Sequence, residues 1–299
     1  MTQGIVACRQ DERLASDVRR RHASHVAKRM LLYTTVVVLG VIFALPLIWM
    51  VSTSLKVDSQ VYVVPPVWFP DPIRPLNYVE VLTVAPFGLY FANTMRYALP
   101  SIVGVLLSCS LVAYGFSRIR WWGRDTLFFL CIATMMVPFQ VRMIPLYIIF
   151  KNLQWLNSYK PLVVPAFFGE AYYIFLLRQF FLTIPRELCD AARVDGCSEL
   201  GIFARIVLPL AKPALAVVGL YQFLGSWNDY LGPLIYLNDQ ALYPLALGLQ
   251  VLGQAAYRET QRWPYLMAAS TAIIAPVILI FYLAQRTFVE GITLTGIKG

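Results

Sequence analysis

The chain is poor in charge, in histidine and in cysteine. Only 14% of its 299 residues are charged, whereas 59% are hydrophobic, and its mean hydropathy is +0.62. A water-soluble domain of this length cannot bury so much apolar surface in one core, so the bilayer must be the main solvent. The two histidines, His22 and His25, stand near the start, far from Cys189 and Cys197, which themselves lack a CxxC spacing. That pattern argues against a zinc centre. The five cysteines fall in apolar or basic segments and imply no disulfide framework. A Gly-x-x-x-x-Gly-Lys-Ser/Thr phosphate loop is also missing, so the chain is not expected to hydrolyse ATP by itself.

The formal charge is +9. Its basic residues lie in short segments beside apolar runs rather than on one continuous face, which favours membrane orientation over nucleic-acid binding. Lipid offers no hydrogen bonds to a backbone, so the apolar runs must be helices of roughly 20 residues each. Six such spans are expected, near residues 30–52, 87–116, 127–150, 161–182, 213–236 and 265–285. The fold class is therefore all-α, a polytopic membrane protein.

Arg9, Arg13, Arg19, Arg20, Arg21, Lys28 and Arg29 precede the first span; Arg118, Arg120 and Arg124 follow the second; Arg186, Arg193, Arg205 and Lys212 follow the fourth. These alternate connections fit one cytoplasmic side, with both termini on it. The connection over residues 55–86 is instead rich in Pro, Val and aromatics, as an external loop would be. The first apolar run lacks a small-residue cleavage site and reads as a retained anchor. The expected organisation is a basic extension over residues 1–29, a transmembrane domain over 30–289 and a cytoplasmic tail over 290–299.

Residues 184–210 form a charged island between apolar segments. Pro185 suits a helix start, and Arg186 to Arg193 read as helical with Leu188, Ala191 and Ala192 as a small apolar strip. Gly196 interrupts, with Asp195 placed to cap the following turn. A second segment from Ser198 to Val207 puts Leu200, Phe203 and Ile206 on one face before Pro209 stops it. Two helices this short need a docking surface for stability. Pattern alone leaves that surface open between the chain's own bundle, the membrane and another protein.

The order Asp190-Ala191-Ala192, three residues, Gly196, nine residues, then Ile206-Val207-Leu208-Pro209 resembles the EAA signature of ABC importer permeases. Asp190 stands where that family has Glu. Phe175 to Phe181, Trp227 to Leu234 and the ending from Gln285 to Gly299 look like the carbohydrate-uptake branch, of the MalG/UgpE type. The resemblance implies the type I importer fold, with the loop as the coupling helix seated in a cleft of an ATPase subunit. Glu187, Asp190, Ala191, Ala192, Asp195, Gly196, Phe203, Leu208 and Pro209 are then the coupling candidates. The implied partners are a second permease (MalF/UgpA-like), two ATPase subunits (MalK/UgpC-like) that carry ATP and Mg, an extracytoplasmic solute-binding protein and a sugar. No cofactor is expected on this chain. In the maltose system the C-terminal tail also touches the ATPase dimer.

Charged groups within membrane spans are costly and generally face protein or water. Glu170, Tyr172, Tyr173, Trp227, Asn228 and Asp229 supply the hydrogen-bonding groups and aromatic faces that a sugar path needs. A structural or gating role for the Trp227 segment competes with that reading. Asn93, Gln140 and Gln222 are weaker candidates, and Met135 to Pro138, Pro145, Pro165 and Pro276 suggest bends. A phosphorylated solute would favour basic groups in the cavity, and Arg178 is the one the sequence offers near a membrane end. Other classes are an ion-coupled transporter using Glu170 or Asp229, which leaves the 184–210 pattern unexplained, and a scaffold or receptor without solute flux.

Overall fold

The computed structural model describes residues 2–258 and 263–296, with side chains over 27–254 and 263–285. Helix α1 is Thr2–Ser54, α2 is Asn77–Val84, α3 is Phe87–Ser117, α4 is Arg124–Ala133 and α5 is Phe139–Asn152. Then come α6 (Lys160–Val163), α7 (Ala171–Thr183), α8 (Arg186–Val194), α9 (Glu199–Ile202), α10 (Leu208–Leu210) and α11 (Lys212–Asn228). The series ends with α12 (Leu231–Tyr236), α13 (Leu245–Arg258) and α14 (Trp263–Gly296). No strand occurs among the described residues.

Four stretches are long and apolar enough to cross a bilayer: Ala27–Ser54, Phe87–Ser117, Lys160–Thr183 and Trp263–Gln285. Two further helix pairs are long and apolar enough only when each is taken together, α4 with α5, bent by 97°, and the 199–210 segment with α11, bent by 79°. The first bend falls at Val137-Pro138, where proline removes a backbone donor, as the sequence suggests. Three expectations change. The helix of the first span continues back through the basic extension to Thr2. The fifth span stops at Asn228 and resumes as α12 at Leu231, because Asp229 and Tyr230 break it. The region after 236, read as connection, holds α13.

Helix α3 is the axis of the body, packing against α6, α7, α11 and α13. It carries small polar residues at the points where neighbouring backbone is irregular, and the physical reason is that such backbone has no water to satisfy it. Ser101 Oγ donates to the Leu162 carbonyl at 3.1 Å and Ser108 Oγ to that of Ala166 at 2.9 Å. Asn93 Nδ2 donates to the carbonyls of Ala241 and Tyr243 at 2.8 and 3.1 Å, while Thr94 Oγ1 accepts the Leu245 N–H at 3.0 Å. Asn93 is thus a structural bond to a neighbouring segment. Gly104 leaves room for the Phe167 ring, which a Cβ would meet at 2.7 Å.

The apolar interior has two parts. One joins α3, α7 and the 184–218 region around Cys109, Leu177, Phe181, Ile202, Val207 and Val218. The other joins α2, α3, α11, α13 and α14 around Tyr90, Trp227, Leu245 and Ala269. The connection after α1 is tied down by buried Asn77, whose Nδ2 donates to the Ser54 and Lys56 carbonyls at 2.8 and 2.9 Å.

Candidate coupling loop and translocation cavity

The 184–210 loop folds as two short helical pieces around a glycine turn. Pro185 precedes α8, and α8 ends in a Schellman motif. The Gly196 N–H donates to the Arg193 carbonyl at 3.0 Å and the Cys197 N–H to that of Ala192 at 2.9 Å. Gly196 itself has φ +80°, the left-handed region where a Cβ is costly. Ser198, not Asp195, caps the next helix: its Oγ accepts the Gly201 N–H at 3.2 Å. Asp195 instead closes α8.

Which faces are buried also differs from the pattern reading. In α8 the buried side chain is Cys189, with Ala192 packed partly beside it, while Leu188 is exposed. Glu187, Asp190, Ala191, Asp195 and Gly196 are exposed on the side of the loop away from this packing. In the second piece Ile202, Phe203 and Val207 are buried and Leu200 is exposed. A π-helical stretch, Phe203–Val207, keeps Val207 on the buried face with Ile202, five positions earlier, where the α period would turn it away. Leu208 packs partly on the core, Pro209 lies exposed in the last turn, and the chain then bends at buried Ala211 into α11.

Charged contacts staple the two pieces. Arg193 donates to Asp190 Oδ1 at 2.6 Å within α8 and, across the glycine turn, to both Glu199 oxygens at 2.6 and 3.3 Å. The Glu199 hydrogen bond holds the Arg193 guanidinium above its ordinary pKa. Tyr114 Oη, at the end of α3, lies 2.6 Å from Glu199 Oε2 and donates to it. Arg118 donates to the Phe181 and Ile184 carbonyls, satisfying the end of α7 where the loop begins. Sequence reasoning missed Tyr114, Arg118 and Glu199 because each acts across elements.

The path candidates divide. Glu170 and Asp229, 59 positions apart, line one cavity of about 530 Å³ together with Arg142, Gln222 and Tyr236. Gly169, with φ +87°, turns the chain so that Glu170 starts α7, and the Glu170 N–H donates to Cys109 Sγ at 3.2 Å. Asp229 Oδ1 accepts the Gly232 N–H at 3.0 Å, which also makes it a support for α12. Tyr172 packs near Tyr221, and Tyr173 is buried in the core. Trp227 is buried against Phe91 and Phe223, away from this cavity, and Asn228 Nδ2 donates to the Leu224 carbonyl at 2.9 Å. Arg178 is engaged structurally, with Nε on the Phe116 carbonyl at 3.2 Å and its guanidinium over the Phe128 ring. The basic group of the cavity wall is Arg142, inside the third expected span, where an apolar average concealed it.

Among the described residues the body is all-helical, with bent helix pairs beside a polar cavity and an exposed two-helix loop at one end, the architecture of a membrane transport subunit. The chain belongs to the family described as binding-protein-dependent transport system inner membrane component, whose model matches residues 104–293. It is an ABC importer permease, a multi-pass inner membrane component. It is similar to the arabinooligosaccharides transport system permease protein AraQ of Halalkalibacterium halodurans, 37% identical over 226 residues, covering 75% of this chain and 79% of that one. The sn-glycerol-3-phosphate transport system permease protein UgpE of Yersinia enterocolitica is 35% identical over 248 residues, 81% and 87% of the two chains. Among solved structures, a chain of a bacterial ABC transporter involved in the import of the acidic polysaccharide alginate matches with a TM-score of 0.76 and 26% identity. That match covers 87% of this chain and 97% of the other.

Proposed function

We propose that this chain is a permease subunit of an ATP-driven importer of an uncharged sugar or oligosaccharide, delivered by an extracytoplasmic binding protein. The observation that carries the substrate class is the cavity wall. It sets two carboxyl groups, Glu170 and Asp229, against one guanidinium, Arg142, with Gln222 and Tyr236 beside them and Phe139 and Phe150 as apolar faces. When ionised the charged groups sum to one negative, which opposes an anion and suits a polyhydroxyl ligand. The relative named for arabinooligosaccharide transport supports the neutral-sugar reading, and that named for glycerol phosphate supplies the competitor to be tested against it.

The 184–210 loop is the coupling element in this reading. Glu187, Asp190, Ala191 and Gly196 sit on its exposed side, and the Arg193 to Glu199 to Tyr114 chain ties it to α3. ATP-driven closure of two ATPase subunits moves the loop, and α3 and α11 carry that movement to the cavity, with a second permease completing the path. ATP and Mg bind on the ATPase subunits. The loop and both termini face the cytoplasm, in keeping with the alternating Arg and Lys content of the connections.

The test is substrate-stimulated ATP hydrolysis by the reconstituted complex with its binding protein, native against Gly196→Pro. Proline fixes φ near −65° and cannot adopt the +80° that Gly196 holds. Loss of stimulation with all subunits still co-purifying supports the coupling role; intact stimulation rejects it. Stimulation by a phosphorylated solute in place of a neutral sugar overturns the substrate class alone.

A further inference from the structure

Beside the loop, two adjoining clefts of about 470 and 480 Å³ open between the α3–α4 turn and the start of α8. Both are walled by Arg120, Arg124 and Arg186. Arg124 pairs with Asp125 at 2.9 Å and Arg193 is taken by Asp190 and Glu199, but among the described residues Arg120 and Arg186 meet no carboxylate in an ion pair. Arg120 and Arg186, without a carboxylate and beside the partly neutralised Arg124, repel one another, and that arrangement is relieved by an anion able to take several N–H donors at once.

What the anion belongs to is indicated by the neighbouring tryptophans. Trp122 is 97% exposed and Trp121 is 40% exposed, on the same turn as Arg120 and Arg124. Trp121 is held in place, its Nε1–H donating to the Gly115 carbonyl at 3.2 Å and its ring 5.9 Å from that of Phe116, whereas the Trp122 indole stands clear. An exposed indole beside the end of a membrane span belongs at the level of lipid headgroups, where its apolar body and N–H are both accommodated. The turn therefore sits at the bilayer surface, and the clefts face it. Basic clefts between membrane helices at this depth bind phosphate headgroups.

We propose that the cleft walled by Arg120, Arg124 and Arg186 binds the phosphate of an anionic phospholipid in the leaflet that faces the ATPase subunits. The assignment of leaflet rests on the coupling-loop reading; the headgroup site itself does not. Because Arg186 opens α8, an occupied cleft braces the base of the loop against the α3–α4 turn.

The experiment uses the whole complex in nanodiscs of phosphatidylethanolamine with or without phosphatidylglycerol, and native mass spectrometry counts the lipid retained. Arg120→Gln with Arg124→Gln, both outside the loop, is compared with Arg120→Lys with Arg124→Lys. Each arginine made neutral is expected to weaken phosphatidylglycerol retention about fivefold, the usual contribution of one basic side chain at a membrane surface. The lysine pair keeps most of it. Equal retention by the glutamine pair and the native complex overturns the proposal. So does a native complex that takes up free inorganic phosphate in its place, or a glutamine pair that loses the ATPase subunits in every lipid, which assigns the arginines to protein docking. Lipid retention is read without ATP, so failure of coupling in Gly196→Pro leaves this result independent.

Discussion

Arg193 and Glu199 meet at 2.6 Å across the Gly196 turn, and the far oxygen of the same carboxylate accepts from Tyr114 at the end of α3. One carboxylate thus fixes the angle between two loop helices and fastens both to the central helix of the body. The Arg193 pairs are about a third or more exposed on each side, so their static value is small, within about 1 kcal/mol. Glu199→Gln is therefore expected to leave the melting temperature of the assembled complex nearly unchanged while lowering stimulated ATP hydrolysis. A fall in both by the same proportion contradicts the assignment.

Trp227 gives a test that separates packing from recognition. Its indole is buried, its N–H has no hydrogen-bond partner within the described residues, and its neighbours are Phe91 and Phe223. Trp227→Phe is expected to retain transport with a small loss of stability, whereas Trp227→Ala costs about 3–5 kcal/mol for the cavity it opens. A raised substrate requirement in Trp227→Phe, with stability unchanged, would place the indole on the solute path.

Glu80 makes the connection after α1 sensitive to acid. Tyr265 donates to its Oε2 at 2.7 Å and Arg74 grips both oxygens at 2.9 and 3.1 Å, which together hold the carboxyl below its ordinary value. A depressed carboxylate contributes its stability above the ordinary pKa of 4.5, and that contribution is lost as pH falls through the lower folded value. The hydrogen-exchange protection of residues 55–84, taken relative to the intrinsic exchange rate at each pH, is expected to fall in that acid range. Glu80→Gln should show low protection there at every pH, with the acid response of the protection flattened.

Gly248 lets α13 lie against α3. A Cβ there would clash with the ring of Tyr90, itself buried against Phe87. Gly248→Ala is expected to cost about 1–3 kcal/mol through overpacking, read as a lower melting temperature. Tyr90→Leu in the same chain should recover part of it, and no recovery rules out the ring as the obstacle.

How much of this was legible beforehand depended on the range of each interaction. Spans such as 87–117 declare themselves by length and hydropathy, and the Gly196 turn by residue type. The break after Asn228 and the short helix α12 escaped because an apolar average runs straight across Asp229 and Tyr230. In the site, the loop was readable and the cavity only partly so. Glu170 and Asp229 stood out as charges in an apolar background, but Arg142 did not, and nothing local says that Trp227 turns into the core while Asp229, two residues on, faces the cavity. Those are facts of tertiary placement.

The wound-out turn at Phe203–Val207 has one more effect. In an α-helix, losing a residue swings everything beyond it by about 100°. Here Ile202 and Val207, both fully buried, are five apart, and removing one residue between them leaves them four apart, still on a common α-helical side. This stretch therefore holds one residue of slack. A deletion tolerated there would be ruinous between Arg186 and Val194, where no such reserve exists.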